Sequence, residues 1–165
     1  MAILSQLSHD LNDKVAVSLS LLKGNEVPDH SATLRAMKSA SGAERLRLAV
    51  KLLTGGVEVS KYSYYLHWLH PKLKILRLSE DRSTLVVTPK RLVLTRGRIA
   101  KAVHIPITEI SGVVQGAYTS TFKSLRAASK PPHWAAFSII GACRTFDFSA
   151  EIALVVEACV LGLQQ

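Results

Sequence analysis

The residues of this sequence best suited to chemistry are basic, and they gather around one pair of predicted strands. Lys72 and Lys74 stand two apart in an alternating run, so they point to the same side of a strand. Lys61 ends the preceding run and comes beside them if the two strands form a hairpin. Lys90 and Arg91 follow the third run, in a turn. Clustered ammonium and guanidinium groups can neutralise clustered phosphates through charge-assisted hydrogen bonds, which makes these five the candidate phosphate-binding residues.

The positive charge of the whole chain is concentrated in this region. The chain has 165 residues and a formal net charge of +9. Residues 60–130 contain thirteen basic and three acidic residues, whereas residues 1–59 and 131–165 are each close to neutral. A block of this kind indicates an anionic partner, such as phospholipid headgroups, an acidic membrane face, nucleic acid or an acidic protein. A solvated basic face that only aids solubility is the alternative interpretation of the charge.

Bulky aromatic and apolar residues crowd the loop of the same predicted hairpin. Rings beside a basic patch suit the membrane–water interface, where they lie at headgroup level. We therefore expect Tyr65, Trp68 and Leu69 to contact a membrane. Tyr62 and Tyr64 are expected to turn back toward the core.

Motifs for catalysis or metal binding are missing from the sequence. The glycine pair at 55–56 lacks the lysine and the spacing of a P-loop, and no Gly-x-Ser-x-Gly elbow occurs. His67 and His70 lack the further ligands that would close a zinc site. Cys143 and Cys159 are expected to be buried, and their small number fits a reducing compartment. The sequence predicts no enzymatic activity, no cofactor and no metal.

Apolar periodicity predicts helices at both ends of the chain. One helical pattern covers residues 31–53 and is interrupted at Ser41–Gly42. Ser41 and Glu44 there have the spacing of a capping box. The last helix is expected to begin after Ser149 as its N-cap. Another helical pattern, nearer the N-terminus at residues 3–23, places six apolar residues on one helical face: Leu4, Leu7, Leu11, Val15, Leu19 and Leu22.

Between the helices the period changes to that of β-strands. About seven short runs, the first at 57–61 and the last at 146–148, are separated by turn residues. The order of helices, then strands, then a final helix predicts an α+β fold with an antiparallel sheet, and a helix must cover the open end or a face of that sheet. The chain is 48% hydrophobic, and no apolar run approaches the roughly 18 residues that would span a bilayer, so a single globular domain is expected.

In order and spacing these elements resemble the pleckstrin homology (PH) domain, specifically the phospholipase C type and its plant relatives. The resemblance runs from about Leu46 to the C-terminus. It makes residues 1–45 an N-terminal helical extension and residues 46–165 the PH-like domain. The matching segments are residues 52–62, 71–81, 107–116, 136–148 and 160–163.

The resemblance implies a seven-stranded, antiparallel, partly open barrel capped by the C-terminal helix. It also implies headgroup binding between the first hairpin and the loop that joins the third and fourth strands. Lys61, Lys72 and Lys74 match the basic signature of the first two strands. Lys90 and Arg91 match the basic pair of the next loop.

Two positions depart from the family pattern. Lys74 stands where the family usually has arginine, so the planar bidentate fork is missing and we expect weaker selectivity among headgroups. Cys159 stands where the closing helix usually has tryptophan. We expect a residue of the N-terminal helices to fill that volume.

Together these observations predict a non-catalytic membrane-targeting module that binds anionic phospholipid headgroups, with phosphoinositide as the expected lipid. Such a module would be cytoplasmic, peripheral on the inner face of a membrane. The alternative is a PH-like protein-interaction or scaffold module with a degenerate lipid site, in which residues 3–23 bind a protein partner or a second copy. No recognition-helix or RNP-like signature supports nucleic-acid binding.

Overall fold

The helices of the structure lie before, within and after a set of β-strands. The computed structural model describes residues 26–64, 70–90 and 101–164, together with the backbone of residues 94–95 and 98–99. The predicted helix at residues 3–23 lies outside the described residues. The described helices are α1 (Ser31–Ser39), α2 (Gly42–Gly55), α3 (Ser120–Ser124) and α4 (Ala153–Leu163). The predicted break near Ser41–Gly42 is confirmed, because it separates α1 from α2.

Most strands join one antiparallel sheet. In chain order the strands are β1 (Val57–Tyr62), β2 (Lys72–Leu78), β3 (Thr84–Pro89), β4 (Leu94–Thr95), β5 (Arg98–Ile99), β6 (Val103–Pro106), β7 (Ile110–Gln115), β8 (Ala136–Gly141) and β9 (Thr145–Ser149). Seven of them form the sheet in the order β6-β3-β2-β1-β9-β8-β7, and β4 pairs with β5 separately. The predicted hairpin of the first two strands is confirmed by the pairing of β1 with β2.

Alternation along the strands gives the sheet an enclosed face. Val57 and Val59 of β1, Leu76 of β2 and Phe148 of β9 are at most 1% exposed and belong to one core. Helix α4 covers this core with residues such as Val156, which is fully buried. The predicted α+β architecture is therefore confirmed: a seven-stranded, antiparallel, partly open barrel is capped by the C-terminal helix, with further helices before it.

Helix α2 packs along α4 and fills the volume beside Cys159. Ala49 and Leu53 of α2 are fully buried in the same core as Cys159. A Cβ atom at Gly162 would lie 2.5 Å from Leu53 Cδ1, so the glycine lets the two helices approach closely. Helix α1 adds Met37, which is also fully buried in that core. The helices that precede the sheet thus contribute buried side chains to the core that contains Cys159.

Two predicted helix caps are wrong. Ser41 occupies the N-cap of α2, but its side chain makes no capping hydrogen bond. Glu44 pairs instead with Arg47, at 3.3 Å. The N-cap of α4 is Ile152, because Ser149 remains in strand β9.

The two cysteines differ in exposure. Cys143 is exposed in the turn between β8 and β9, contrary to the prediction that it is buried. The turn residues lie beyond the ends of the paired strands, so no packed layer covers them. Cys159 is fully buried as predicted, and burial raises the pKa of its thiol.

Candidate anion-binding site

Three of the predicted lysines converge at one end of the first hairpin. Lys61 is opposite Lys72 in the register of β1 and β2, and Val59 is opposite Lys74. Because alternate residues of a strand share a face, the lysines continue the face on which Val57 and Val59 are buried. Lys72 is exposed, whereas Lys61 and Lys74 are partly buried. The cluster therefore lies where the apolar interior of the barrel meets solvent.

A fourth cation, Arg144, joins these lysines through the pairing of β1 with β9. Lys61 is opposite Phe148 in that pairing, which brings the start of β9 to the end of β1. The Arg144 Cζ atom lies 4.4 Å from the centroid of the Phe146 ring, and Lys61 Nζ lies 5.5 Å from the same centroid. Both distances fall within the range of cation–π contacts. Lys61, Lys72, Lys74 and Arg144 are called the cation cluster below.

Arg144 was not among the residues that the sequence pattern singled out. The signal available for it was weak: it is the only basic residue after Lys130, and it directly precedes a predicted strand. Only the pairing of the last strand with the first places it beside Lys61. Its guanidinium supplies the planar hydrogen-bonding fork that lysine at position 74 lacks.

Burial and mutual repulsion both act on the cation cluster. The pKa of Lys61 is lowered first by burial and then by the charges of Arg144 and Lys72, while Asp147 raises it in part. The pKa of Lys74 is lowered by burial and then by its two lysine neighbours. Within the described part of the chain, the ion pairs link other residues, and none includes a member of the cluster.

Asp147 does not neutralise the cluster, because it is buried on the opposite face of β9. Its neighbours in the strand, Phe146 and Phe148, face the core. The Oδ1 atom of Asp147 accepts hydrogen bonds from Thr119 Oγ1 and Ser138 Oγ, each at 2.7 Å. These bonds fasten the segment before α3 to the outside of the sheet.

The other predicted basic residues do not join the cluster in the described structure. Lys90 Nζ forms an ion pair with Glu58, and strand alternation places Glu58 on the other face of β1 from Lys61. Arg91 lies outside the described residues. Headgroup binding by Lys90 and Arg91 stays a prediction.

The hairpin loop is described only at its two ends. Tyr62 turns back as predicted: its hydroxyl is 3.2 Å from Ser149 Oγ, and its ring centroid is 5.2 Å from that of Phe122. Tyr64 is 51% exposed, contrary to the expectation for it. The predicted membrane-contacting residues lie outside the described residues: Tyr65, Trp68 and Leu69.

The cation cluster is suited to an anion that carries more than one charge. An ammonium group donates hydrogen bonds in several directions, whereas a guanidinium group donates two in parallel to a phosphate.

Among the described residues, no three His, Cys, Asp or Glu side chains are grouped as a metal site would require. The described helices are also too short or too polar to cross a membrane.

Comparison with known proteins agrees with the fold. No protein-family model matches the chain, and no curated protein matches its sequence. Inner membrane complex sub-compartment protein 1 from Toxoplasma gondii is similar in structure, with a TM-score of 0.51, 12% identity, and coverage of 76% of this chain and 92% of that chain. Sub-compartment protein 3 from the same organism has a TM-score of 0.49 and 16% identity, over 76% of this chain and 84% of that chain. At such identity the similarity shows the fold alone, and the fold is PH-like.

Proposed function

We propose that this PH-like domain is a non-catalytic membrane-targeting module that binds anionic phospholipid headgroups, phosphoinositides in particular. Lys61, Lys72 and Lys74 bind the phosphates, as expected from the sequence, and Arg144 binds with them. The observation that carries the proposal is the crowding of four cations at the open end of the barrel, with no ion pair to any of them among the described residues. An anionic headgroup relieves their repulsion and favours their charged forms.

The position of the cluster also suggests how the domain meets a bilayer. Lys61 is the second-last residue of β1, and Lys72 is the first residue of β2. The connection therefore leaves and rejoins the sheet beside the cation cluster. Tyr65, Trp68 and Leu69 belong to this connection and would enter the interface when a headgroup is bound. Cytoplasmic leaflets carry anionic lipids, so peripheral attachment to the inner face is the expected location.

A headgroup with several phosphates fits the cluster better than a singly charged one. Each cation near an anionic surface contributes about 1 kcal/mol of attraction. A phosphatidylserine headgroup offers one net negative charge, whereas a phosphoinositide bisphosphate offers several within one headgroup. Four convergent cations therefore favour the multiply phosphorylated headgroup over simple surface charge.

Vesicle co-sedimentation tests the proposal directly. Vesicles that are neutral or contain phosphatidylserine, phosphatidic acid or a single phosphoinositide are compared at low and at physiological salt. We expect a preference for a phosphoinositide that survives physiological salt. Binding that follows total charge and vanishes with salt would indicate only a non-specific basic face.

The assigned residues are tested with charge-matched variants. Lys72→Glu combined with Lys74→Glu should weaken binding about a thousandfold, because two cations are lost and two repulsive charges are added. Lys38→Glu combined with Lys51→Glu makes the same change in net charge on exposed faces of α1 and α2. Equal loss in the two double variants, or unchanged binding of the first, would refute the site.

A protein-interaction module with a degenerate lipid site is the second candidate. The ion pair of Lys90 with Glu58 favours it, because one of the five predicted headgroup ligands is already engaged. In that case the protein binds none of the vesicles, and light scattering or a pulldown with the full chain shows self-association or a retained partner. A monomer that binds vesicles and retains no partner would exclude this candidate.

A further inference from the structure

A groove runs along the outer face of β1, on the side of the strand away from the cation cluster. Its volume is about 850 Å³. The outward side chains of β1 line its floor, residues 27–31 and Leu34 line one wall, and residues 128–132 and 134–135 line the other. Residues 149–152 close one end.

The groove exposes large apolar side chains. Trp134 is 51% exposed, Ile152 is 49% exposed and Leu73 is 43% exposed, and all three line the groove. Large apolar side chains exposed along one groove are typical of a docking surface. Occupation of this surface does not depend on headgroup binding.

We propose that residues 3–23 of the same chain occupy this groove as an amphipathic helix. The described chain begins at Glu26, and Val27 and Pro28 already form part of the groove wall. Three residues separate Lys23 from Val27, so the end of the predicted helix lies within about 14 Å of that wall. A segment tethered this closely has a high effective concentration at the groove.

The point where the segment enters the groove is fixed by contacts of the described residues. His30 Nε2 lies 2.8 Å from the Gly56 carbonyl oxygen, which holds residues 28–30 against the end of α2. The Leu34 amide donates to the His30 carbonyl at 2.8 Å, which ties the same residues to α1. The chain before Val27 is therefore directed from a rigid anchor beside the groove.

The chemistry of the segment complements the groove. Six of its apolar residues form a single stripe, and a helix of this length is marginal in water unless such a stripe is packed. Val15, Leu19 and Leu22 are the stripe members closest to the tether and would contact Trp134 and Ile152. The segment has two acidic and two basic residues, so no net charge opposes docking: Asp10, Asp13, Lys14 and Lys23.

The first experiment changes the segment in the full-length chain. Leu22→Asp places a carboxylate in the stripe, and Ser20→Asp places one on the opposite side of the same helix. Both are made in a Trp68→Phe background, so that Trp134 is the only tryptophan left. Leu22→Asp should lower the ratio of docked to undocked chains at least about tenfold, because a leucine is no longer buried. Acrylamide quenching of Trp134 and hydrogen exchange of residues 128–135 should rise in Leu22→Asp and stay unchanged in Ser20→Asp.

The second experiment changes the groove and observes the segment. Ile152→Asp should increase hydrogen exchange across residues 3–23, whereas Leu46→Asp, at a 36% exposed apolar position of α2, should not. Circular dichroism establishes that each variant is folded. Identical exchange in both, or identical quenching in the first pair, would overturn the proposal.

Other occupants of the groove give different results. Protection that grows with protein concentration and accompanies a dimer in light scattering would place a second copy in the groove and overturn docking within one chain. Protection that is insensitive to Leu22→Asp, with a bound small molecule in native mass spectrometry, would overturn it as well. Protection at all concentrations in a monomer, lost with Leu22→Asp, supports it.

Discussion

Replacing Lys61 by methionine should make the folded protein more stable while it weakens anion binding. Lys61 is partly buried, stands opposite Lys72 and shares the Phe146 ring with Arg144. Its pKa is lowered by burial first and then by the two neighbouring cations. Methionine keeps the length and the apolar stem of lysine but removes the charge that these surroundings disfavour.

The magnitude follows from the contacts of this side chain. Like charges directly opposite one another on paired strands cost up to about 1 kcal/mol. Losing the contact of Lys61 with the Phe146 ring cancels about 0.5–1 kcal/mol of the stability gained. Arg144 remains on that ring. Removing the repulsion from two neighbours and the desolvation of the ammonium should leave a net gain in unfolding free energy of about 0.5–1 kcal/mol at low salt.

Urea unfolding measures this difference, and salt and pH test its cause. Near 1 M salt, where the Debye length is about 3 Å, the part of the Lys61→Met advantage that comes from repulsion should shrink, while the part that comes from desolvation remains. The folded-state pKa of Lys61 lies below 10.5, so the folded state releases that proton first as pH rises. The wild-type protein therefore gains stability relative to the variant as pH rises through the lowered pKa toward 10.5.

Lys51→Met is the matched control, because Lys51 is an exposed cation on α2. Its stability should stay close to that of the wild-type protein at every salt concentration. A Lys61→Met variant that is less stable at low salt would refute the reasoning. An advantage that neither salt nor alkaline pH reduces would also refute it, since apolar substitution rather than relief of repulsion would then be the cause.

Three further changes have expected outcomes. Glu58→Gln releases the ammonium of Lys90, so salt-sensitive co-sedimentation with anionic vesicles should strengthen about fivefold; unchanged binding would show that Lys90 does not reach the membrane. Asp147→Ala removes the acceptor of two hydroxyl donors and should lower the unfolding free energy by about 3 kcal/mol, whereas Asp147→Asn should cost less; equal losses in urea unfolding would argue against these bonds. Arg82→Gly relieves a left-handed backbone with φ of 59° and should raise the unfolding free energy by about 0.5 kcal/mol, which a lower thermal midpoint would contradict.

Strand alternation made the first hairpin predictable. The change from helical to two-residue periodicity after Gly56 marks the start of β1, and the alternating run at Lys72 marks β2. Short connections usually pair successive strands, so the sequence alone places Lys61 beside Lys72 and Lys74. The resemblance of the order of helices and strands to that of PH domains predicted the C-terminal capping helix.

Long-range pairing set the limit of sequence reasoning at the site. Arg144 is far from Lys61 in sequence and meets it only because the last strand pairs with the first. The interruption between α1 and α2 was visible, but the side-chain geometry at Ser41 was not, since Glu44 has a competing partner in Arg47. The spacing of residues along the sequence thus identified the helices and strands, but it did not identify the contacts that their side chains make.

The strand register explains why the central region contains more basic residues than the cation cluster does. Pro89 is opposite Lys74 and shares its face, so the next residue, Lys90, begins on the other face, where it meets Glu58. A shift of one residue in this pairing would have placed Lys90 on the face of the cation cluster and Pro89 on the opposite face. The first hairpin consequently presents two chemically different surfaces. One surface holds cations without ion pairs among the described residues, and the other holds a neutralised pair beside an apolar groove. Because the two are separated by the thickness of a sheet, headgroup binding and docking of residues 3–23 can be changed independently.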